Sequence, residues 1–243
     1  MSDGIPAKAP RYNFMAVGFI EICERFKDIG ILAGVVLKGS WESQKDIYDK
    51  MESEMSLAAN KIVIPRQRHG SDIAIVDDSE DYKNPIADGL LSLKGGCCLT
   101  IRTADCLPML LADPLTGLIG AVHIGWRSLA GGIVENLRLK IKKLDINFDR
   151  LYIHLGPAIG ECCFEVGGDV AVLFDDEFVR ESDGRFFLDV RGLVRNKLLS
   201  FGVSNNAILE TAECTSCLDS KYYSFRRDRE ATIQMVSFIC KRK

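Results

Sequence analysis

The sequence predicts a mixed α/β fold: one compact domain with mixed β-sheets layered against helices. Short apolar runs of strand character alternate irregularly with segments of helical periodicity, and no regular β-α repeat links them. No repeat, low-complexity segment or linker divides the 243 residues, a length that suits one large domain or two small ones. None of the glycine-rich pieces spells a P-loop or a dinucleotide fingerprint, which disfavours a doubly wound nucleotide fold.

Residues 1–30 read as an N-terminal extension and residues 31–243 as the domain. In the extension, Lys8 and Arg11 precede an apolar stretch, as in a signal peptide. Glu21 and Glu24 interrupt it and no small-residue cleavage site is visible, so the expected location is the cytoplasm. The apolar run 31–37 is a first strand, ending at Lys38-Gly39-Ser40. Ser43 or Asp46 caps a helix reaching about residue 57, with Ile47, Met51 and Met55 on one face. A short strand at 61–65 delivers Arg66-Gln67-Arg68-His69-Gly70 to its end; another follows at 72–76, then a polar surface loop at 79–84.

Gly95-Gly96 breaks the chain before a strand at 97–103. Residues 107–112 and 118–124 are continuous apolar runs, the mark of buried strands, with Asp113, Pro114 and Gly117 turning the chain between them. A helix is expected from Ser128 to about Leu144, its last turn basic (Lys140, Lys142, Lys143) in keeping with the helix dipole. Beyond it lie a strand at 151–155, a turn at 156–160, helices at 167–174 and 190–201, and strands at 207–209, 222–225 and 231–239.

The composition bounds the partners. An apolar fraction of 47% and a charged fraction of 27% are ordinary for a soluble domain, and no apolar run is long enough for a membrane span. The net charge of -3 without a long basic run argues against nucleic acid. Nine cysteines, an odd count with two adjacent pairs (Cys97-Cys98, Cys162-Cys163), argue against a disulfide framework and for mostly reduced, buried thiols.

Chemistry concentrates at the ends of the two apolar runs. Cys106 begins one and His123 lies near the end of the next, with Asp105 and Arg127 beside them. His69, Cys106 and His123 are spaced 37 and 17 residues apart, so they meet only through tertiary structure. Three readings stay open. Three nitrogen and sulfur ligands with an open fourth position make a catalytic zinc site. A thiol beside an imidazole makes a nucleophile and its base. A buried thiol and two hydrogen-bonded histidines make only structure. Arg102, Arg127, Arg226 and Arg227 are candidate anion-binding groups, Arg127 foremost because it follows His123 by four residues. Cys214-x-x-Cys217 is half of a zinc knuckle or a redox pair. With Cys162-Cys163 at the wrong spacing for its other half, structural packing is the expected role. His154 reads as a satisfied core histidine.

These blocks resemble one family. Gln67-x-His69-Gly70, Thr103-Ala104-Asp105-Cys106-Leu107-Pro108, His123-x-Gly125-Trp126-Arg127, the stretch from Gly156-Pro157 to Glu165-Val166, and Tyr223-Ser224-Phe225-Arg226-Arg227-Asp228 occur in its order over about residues 31–239. The family is labelled laccase-domain or multicopper polyphenol oxidase. Its members are regarded as purine nucleoside phosphorylases that also deaminate adenosine, and some are called peptidoglycan editing factors.

The resemblance implies a fold similar to that of a bacterial toxin domain with a Cys–His pair, and Zn2+ held by His69, Cys106 and His123. It implies catalytic roles for those three with Asp105 and Arg127, and substrate binding by Lys38, Gln67, Arg127 and Arg226. Purine nucleosides (adenosine, inosine, methylthioadenosine) and phosphate are the implied partners. The sequence departs from the family at its first strand, where Lys38 stands in place of an arginine, and after the last arginine pair, where Thr-Gly-Arg is absent. A chain with three histidines cannot furnish a multicopper centre, so copper is expected only as an ion added in vitro. Two alternatives accompany the phosphorylase reading: a cytoplasmic hydrolase editing peptidoglycan precursors with the same Cys/His site, and a non-catalytic metal-binding protein. The sequence does not fix the oligomeric state.

Overall fold

The computed structural model describes residues 20–54, 61–76, 84–230 and 232–241. The chain opens with β1 (Ile20–Ile22) and α1 (Glu24–Asp28), then β2 (Leu32–Val36). β1 pairs antiparallel with β2, and Phe26 of α1 is buried against Ile31, Ala33 and Leu99. Residues 20–28, assigned above to an extension, thus add a strand and an apolar plug to the main body. α2 (Gln44–Glu54) starts with a reciprocal cap: Ser43 N donates to Asp46 Oδ2 (2.9 Å) and Asp46 N donates to Ser43 Oγ (3.3 Å). Its Ile47 and Met51 are buried as expected; the expected positions 55 and 57, and nearly all of the loop expected at 79–84, lie outside the described residues.

β3 (Lys61–Val63), β4 (Ile73–Ile75) and β5 (Gly89–Ser92) follow, then the long strands β6 (Cys97–Thr103), β7 (Leu107–Asp113) and β8 (Leu118–Ile124). The helix expected from Ser128 is two helices, α3 (Trp126–Ala130) and α4 (Ile133–Lys143). The Gly131-Gly132 pair divides them, Gly132 taking a left-handed φ of 81° that an L side chain resists. β9 (Tyr152–Leu155), β10 (Glu165–Val166), α5 (Gly168–Ala171), β11 (Val179–Ser182), β12 (Arg185–Leu188) and α6 (Val190–Ser200) come next. β13 (Ile208–Glu210), α7 (Phe225–Asp228) and β14 (Met235–Lys241) complete the order. The strand expected at 222–225 is absent. Tyr222 is buried as a single anchor, and Ser224 caps α7 by accepting from Arg227 N.

The strands form a five-stranded sheet in the order β1-β2-β14-β6-β3, a six-stranded sheet β13-β9-β7-β8-β5-β4, and a small sheet β10-β12-β11. Parallel pairs (β3–β6, β4–β5, β9–β13) mix with antiparallel ones. The two large sheets pack face to face through Ala33, Leu99, Ile101 and Ile239 on one side and Leu90, Leu110, Ala112 and Ile119 on the other. On the outer face of the six-stranded sheet, Leu107, Met109 and Leu111 meet Val134, Leu137 and Ile141 of α4 and Leu193 and Leu198 of α6. On the outer face of the five-stranded sheet, Leu32, Val236 and Phe238 meet Ile47 and Met51. The order of layers is therefore helix, sheet, sheet, helices. β7 and β8 are buried on both faces, which is why they read as unbroken apolar runs rather than alternating ones.

Cys98 and Cys240 lie opposite each other across β6 and β14 and are disulfide-bonded. This corrects the expectation of reduced thiols at that one pair, which in-register pairing brings together from 142 residues apart. Among the described residues no helix is long and apolar enough to cross a membrane.

Candidate metal centre

The polar ends of β6, β7 and β8 converge with the loop after β3. Cys106 immediately precedes β7 and His123 is the penultimate residue of β8, so the antiparallel pairing of those strands sets them side by side. His69 arrives on the loop after β3. One ligand atom from each of the three lies within 4.8 Å of the others, and the two imidazole rings stand edge to face with centroids 4.8 Å apart. His123 is buried, Cys106 half-buried and His69 exposed. Gly125 floors the cluster. A Cβ there would sit 3.0 Å from Cys106 Sγ and 3.2 Å from His69 Cδ2, so a side chain would crowd both.

A residue the sequence reading missed organises this arrangement. Asp88, 1% exposed, accepts from His123 Nδ1 (2.8 Å) and His69 N (2.9 Å) through Oδ1, and from Arg68 N (3.0 Å) and Gly70 N (2.8 Å) through Oδ2. Three successive amides wrap one carboxylate, which holds His69 in a left-handed conformation (φ 57°) that a histidine adopts only under constraint. The same carboxylate fixes His123 with Nδ1 inward, which turns Nε2 toward Cys106. An acid amid Ile86-Ala87-Asp88-Gly89-Leu90-Leu91 was the one available signal.

Burial opposes charge on both Cys106 and His123, yet their mutual hydrogen bond overrides it. Burial would push the Cys106 thiol up, but hydrogen bonds from His123 and His69 bring it down to about 6. Burial would push the His123 imidazole down, but Asp88 and Cys106 raise it to about 9. Asp88 is held below the usual carboxylate range despite its burial, by His123 and the amides of Arg68 and Gly70. The metal-free cluster is thus a thiolate–imidazolium pair at neutral pH. In metal-stripped protein, alkylation of the Cys106 peptide followed by mass spectrometry is expected to level off above about pH 7. It should fall roughly tenfold per unit well below pH 6, as the thiolate is protonated. Added zinc should suppress it. A rate that keeps climbing to pH 9 would mean an ordinary thiol.

The cluster opens on a cavity of about 520 Å³, within the usual range of about 300–1,000 Å³ for small-molecule sites. Trp126, Ile159, Phe164, Val190 and Phe225 give it an apolar wall; Arg102, Arg127, Arg226 and Arg229 give it positive charge. Arg127 leaves the start of α3 with its guanidinium 4.3 Å from the Trp126 ring centroid, and no carboxylate among the described residues pairs with it. Arg102 Nε is buried without a hydrogen-bond partner among the described atoms. Arg226 donates to Cys163 O (3.1 Å) and Glu165 O (2.7 Å) and lies over the Phe164 ring.

Several of the residues expected at the site have protein partners. Asp105 lines the cavity, but its oxygens accept from Thr215 Oγ1 (2.7 Å) and Arg226 N (2.6 Å), and its φ is 92°. It knots three segments together. Gln67 also reaches the cavity, yet both ends of its amide clasp the Arg102 backbone (2.8 and 2.9 Å). Lys38 is not among the lining residues. Its Nζ pairs with Asp219 at 2.5 Å and faces the Tyr223 ring, so the lysine at the family's arginine position braces the 219–223 segment. Arg227 is likewise structural, donating to the carbonyls of Thr215, Ser216 and Tyr222. His154 is half-buried between Cys23 and Thr211 Oγ1, a histidine satisfied by hydrogen bonds as expected though not in the core.

One thiolate and two imidazoles with the remaining side open to a cavity form a donor set that suits a single zinc ion. The orienting carboxylate behind His123 is the partner that metal-binding histidines usually have.

Known proteins are similar in sequence and share the fold. A family model described as multi-copper polyphenol oxidoreductase laccase matches residues 42–242. A purine nucleoside phosphorylase, YlmD of Geobacillus stearothermophilus, is 35% identical over 199 residues, covering 73% of this chain and 71% of that protein. An adenosine deaminase, RL5, from an unknown prokaryotic organism is 28% identical over 190 residues, covering 72% of each. The crystal structure of YlmD superposes with a TM-score of 0.80 at 30% identity, over 88% of this chain and 93% of that one. A Bacillus licheniformis protein, YfiH, superposes with a TM-score of 0.84 at 26% identity, over 96% and 100%.

Proposed function

The chain belongs to the multi-copper polyphenol oxidoreductase laccase family, and from that premise we propose that it is a zinc-dependent purine nucleoside phosphorylase that also deaminates adenosine. The observation that carries the proposal is the opening of His69, Cys106 and His123 onto a cavity with both an aromatic wall and unpaired arginine charge. The relatives named phosphorylase and deaminase support the same reaction classes.

His69, Cys106 and His123 hold the ion, with Asp88 fixing the two histidines from behind. Bound zinc supplies a Lewis acid at this end of the cavity. Trp126, Phe164 and Phe225 offer apolar faces of the size a purine stacks on. Arg127, a lining arginine whose guanidinium has no carbonyl or carboxylate partner among the described residues, takes the phosphate, with Arg102 and Arg229 adding positive charge to the same cavity. Arg226 is fixed by two backbone carbonyls and serves as a positioned wall rather than a mobile clamp. The laccase label finds no support in the donor inventory, since three histidines, one of them hydrogen-bonded between Cys23 and Thr211 away from the cluster, cannot build a blue copper centre and a copper cluster together.

One observation favours a second reading. Asp88, His123 and Cys106 are hydrogen-bonded in series, the order of orienter, base and nucleophile in a thiol hydrolase, which would act on a peptidoglycan precursor. Zinc at full occupancy removes that reading, because a metal-bound thiolate is no longer the free nucleophile. The test is turnover of inosine and adenosine by zinc-loaded protein with and without phosphate. Free base should form from inosine only when phosphate is present, and adenosine should yield inosine without it. Failure to turn over either nucleoside at full zinc occupancy would end the phosphorylase reading.

A further inference from the structure

Two short turns far apart in sequence bring four thiols together. In the first, Cys163 N and Phe164 N both donate to Gly160 O (2.9 Å each), which places Cys162 and Cys163 at the head of a tight turn. In the second, Leu218 N donates to Cys214 O (3.1 Å), closing Cys214-x-x-Cys217. A parallel bridge between Ala158 and Cys214, with Thr215 N donating to Ala158 O (3.1 Å), lays one turn against the other. Cys163 and Cys217 sulfurs lie 3.4 Å apart, Cys162 and Cys217 sulfurs 3.8 Å, and all four fall within 4.8 Å of one another.

We propose that Cys162, Cys163, Cys214 and Cys217 bind a second zinc ion as a tetrathiolate, a structural site separate from the catalytic one. Tetrahedral zinc with bonds of about 2.3 Å sets its sulfurs about 3.8 Å apart, so the four thiols already stand near the spacing that zinc requires. Gly160 N donates to Cys214 Sγ (3.2 Å), the backbone-to-sulfur bond that favours a thiolate, and a Cβ at Gly160 would lie 3.3 Å from Cys162 Sγ. None of the four is disulfide-bonded, although Cys98 and Cys240 are. Four ligands close the coordination shell, as structural sites do, whereas the His69 cluster supplies three and leaves a side open. Each thiol that binds gives its proton to solvent, and no oxidant or reductant is involved.

Charge and position agree with this assignment. Zinc with four thiolates carries a net charge of -2, and two guanidinium groups sit on the same turns: Arg226 on Cys163 O and Glu165 O, Arg227 on Thr215 O and Ser216 O. The clamped turns carry Ala158, Ile159 and Phe164 of the cavity wall, and they anchor Arg226. The ion would therefore fix that wall without touching substrate. The spacing of Cys162-Cys163 in sequence argued against such a site. The turn at Gly160 overcomes it by presenting both adjacent sulfurs to the same side.

The test is metal analysis of the full chain grown with zinc. Wild type should hold two equivalents. The double variant Cys162→Ser/Cys217→Ser changes two exposed positions and should fold, yet hold one. Cys106→Ala should also hold one, and loading that variant with cobalt should give the intense sulfur-to-metal absorption of a tetrathiolate. If the catalytic zinc reading is wrong and this one right, wild type holds one equivalent that survives Cys106→Ala and is lost with Cys162→Ser/Cys217→Ser. The proposal is overturned by zinc content unchanged in Cys162→Ser/Cys217→Ser, by cobalt spectra lacking the tetrathiolate bands, or by a disulfide joining any of the four in protein purified without oxidant.

Discussion

Cys106→Ala protein is expected to lose one equivalent of zinc and, with it, both phosphorolysis and deamination. Three ligands hold the catalytic ion in this reading, and removing the thiolate leaves two imidazoles with no anionic donor. The fold should survive, because Cys106 is half-buried at a strand start and its neighbours Leu107 and Met109 carry the packing there. Asp88→Asn provides a graded comparison. The amide keeps the size of the carboxylate but turns an NH2 group toward donors, since the Asp88 carboxylate accepts four hydrogen bonds and donates none. Loss of such an orienting partner weakens metal binding by about ten- to a hundredfold. Zinc competition against a chromophoric chelator, both turnover rates and the melting temperature together decide the matter. A Cys106→Ala protein of wild-type activity would remove the metal from the reaction.

The layered core was legible where burial dictates composition. β7 and β8 are apolar on both faces because each separates two packed layers, and their ends could be read to within a residue. Short strands bounded by clear apolar runs, such as β3, β4, β9 and β13, were also read, but β5 and the small sheet were not. β5 begins at Gly89, where a Cβ would meet the Ile73 side chain at 2.8 Å, so its small residue reflects close strand approach rather than a turn. β10 and β11 are short and partly exposed, and the apolar part of β12 is only three residues long, so no apolar period marks them. The 222–225 segment has strand-like composition because Tyr222 is a buried anchor, not because it pairs.

The site divided in the same way. His69, Cys106 and His123 were recognisable because reactive types in apolar stretches are rare. Asp88 was not, since its significance arises only when the loop after β3 folds around it. Asp105, Gln67 and Lys38 carry the right chemistry but are occupied by protein partners, a fact that spacing does not encode.

Arg127→Ala should separate the two purine reactions. Phosphorolysis consumes phosphate, whereas deamination consumes water, so a residue that binds only phosphate should matter to one and not the other. Arg127 is exposed, lines the cavity beside the metal cluster and stacks on Trp126, and no carboxylate among the described residues neutralises it. A charged hydrogen bond contributes about 1.5–3 kcal/mol, and the loss is larger if phosphate oxygens are left unpaired. Inosine phosphorolysis should therefore slow by about ten- to a hundredfold or more in kcat/KM. Adenosine deamination should fall by a few-fold at most, through the lost stacking on Trp126. The melting temperature should barely move, because the structure gives Arg127 no ion pair to break. Had the guanidinium been tied into a salt bridge, as those of Arg227 and Arg195 are, stability and both activities would decline together. A protein of normal stability whose response to phosphate matches wild type would transfer the phosphate-binding role to Arg102 or Arg229, the other cavity-lining arginines not held by backbone carbonyls through their side chains.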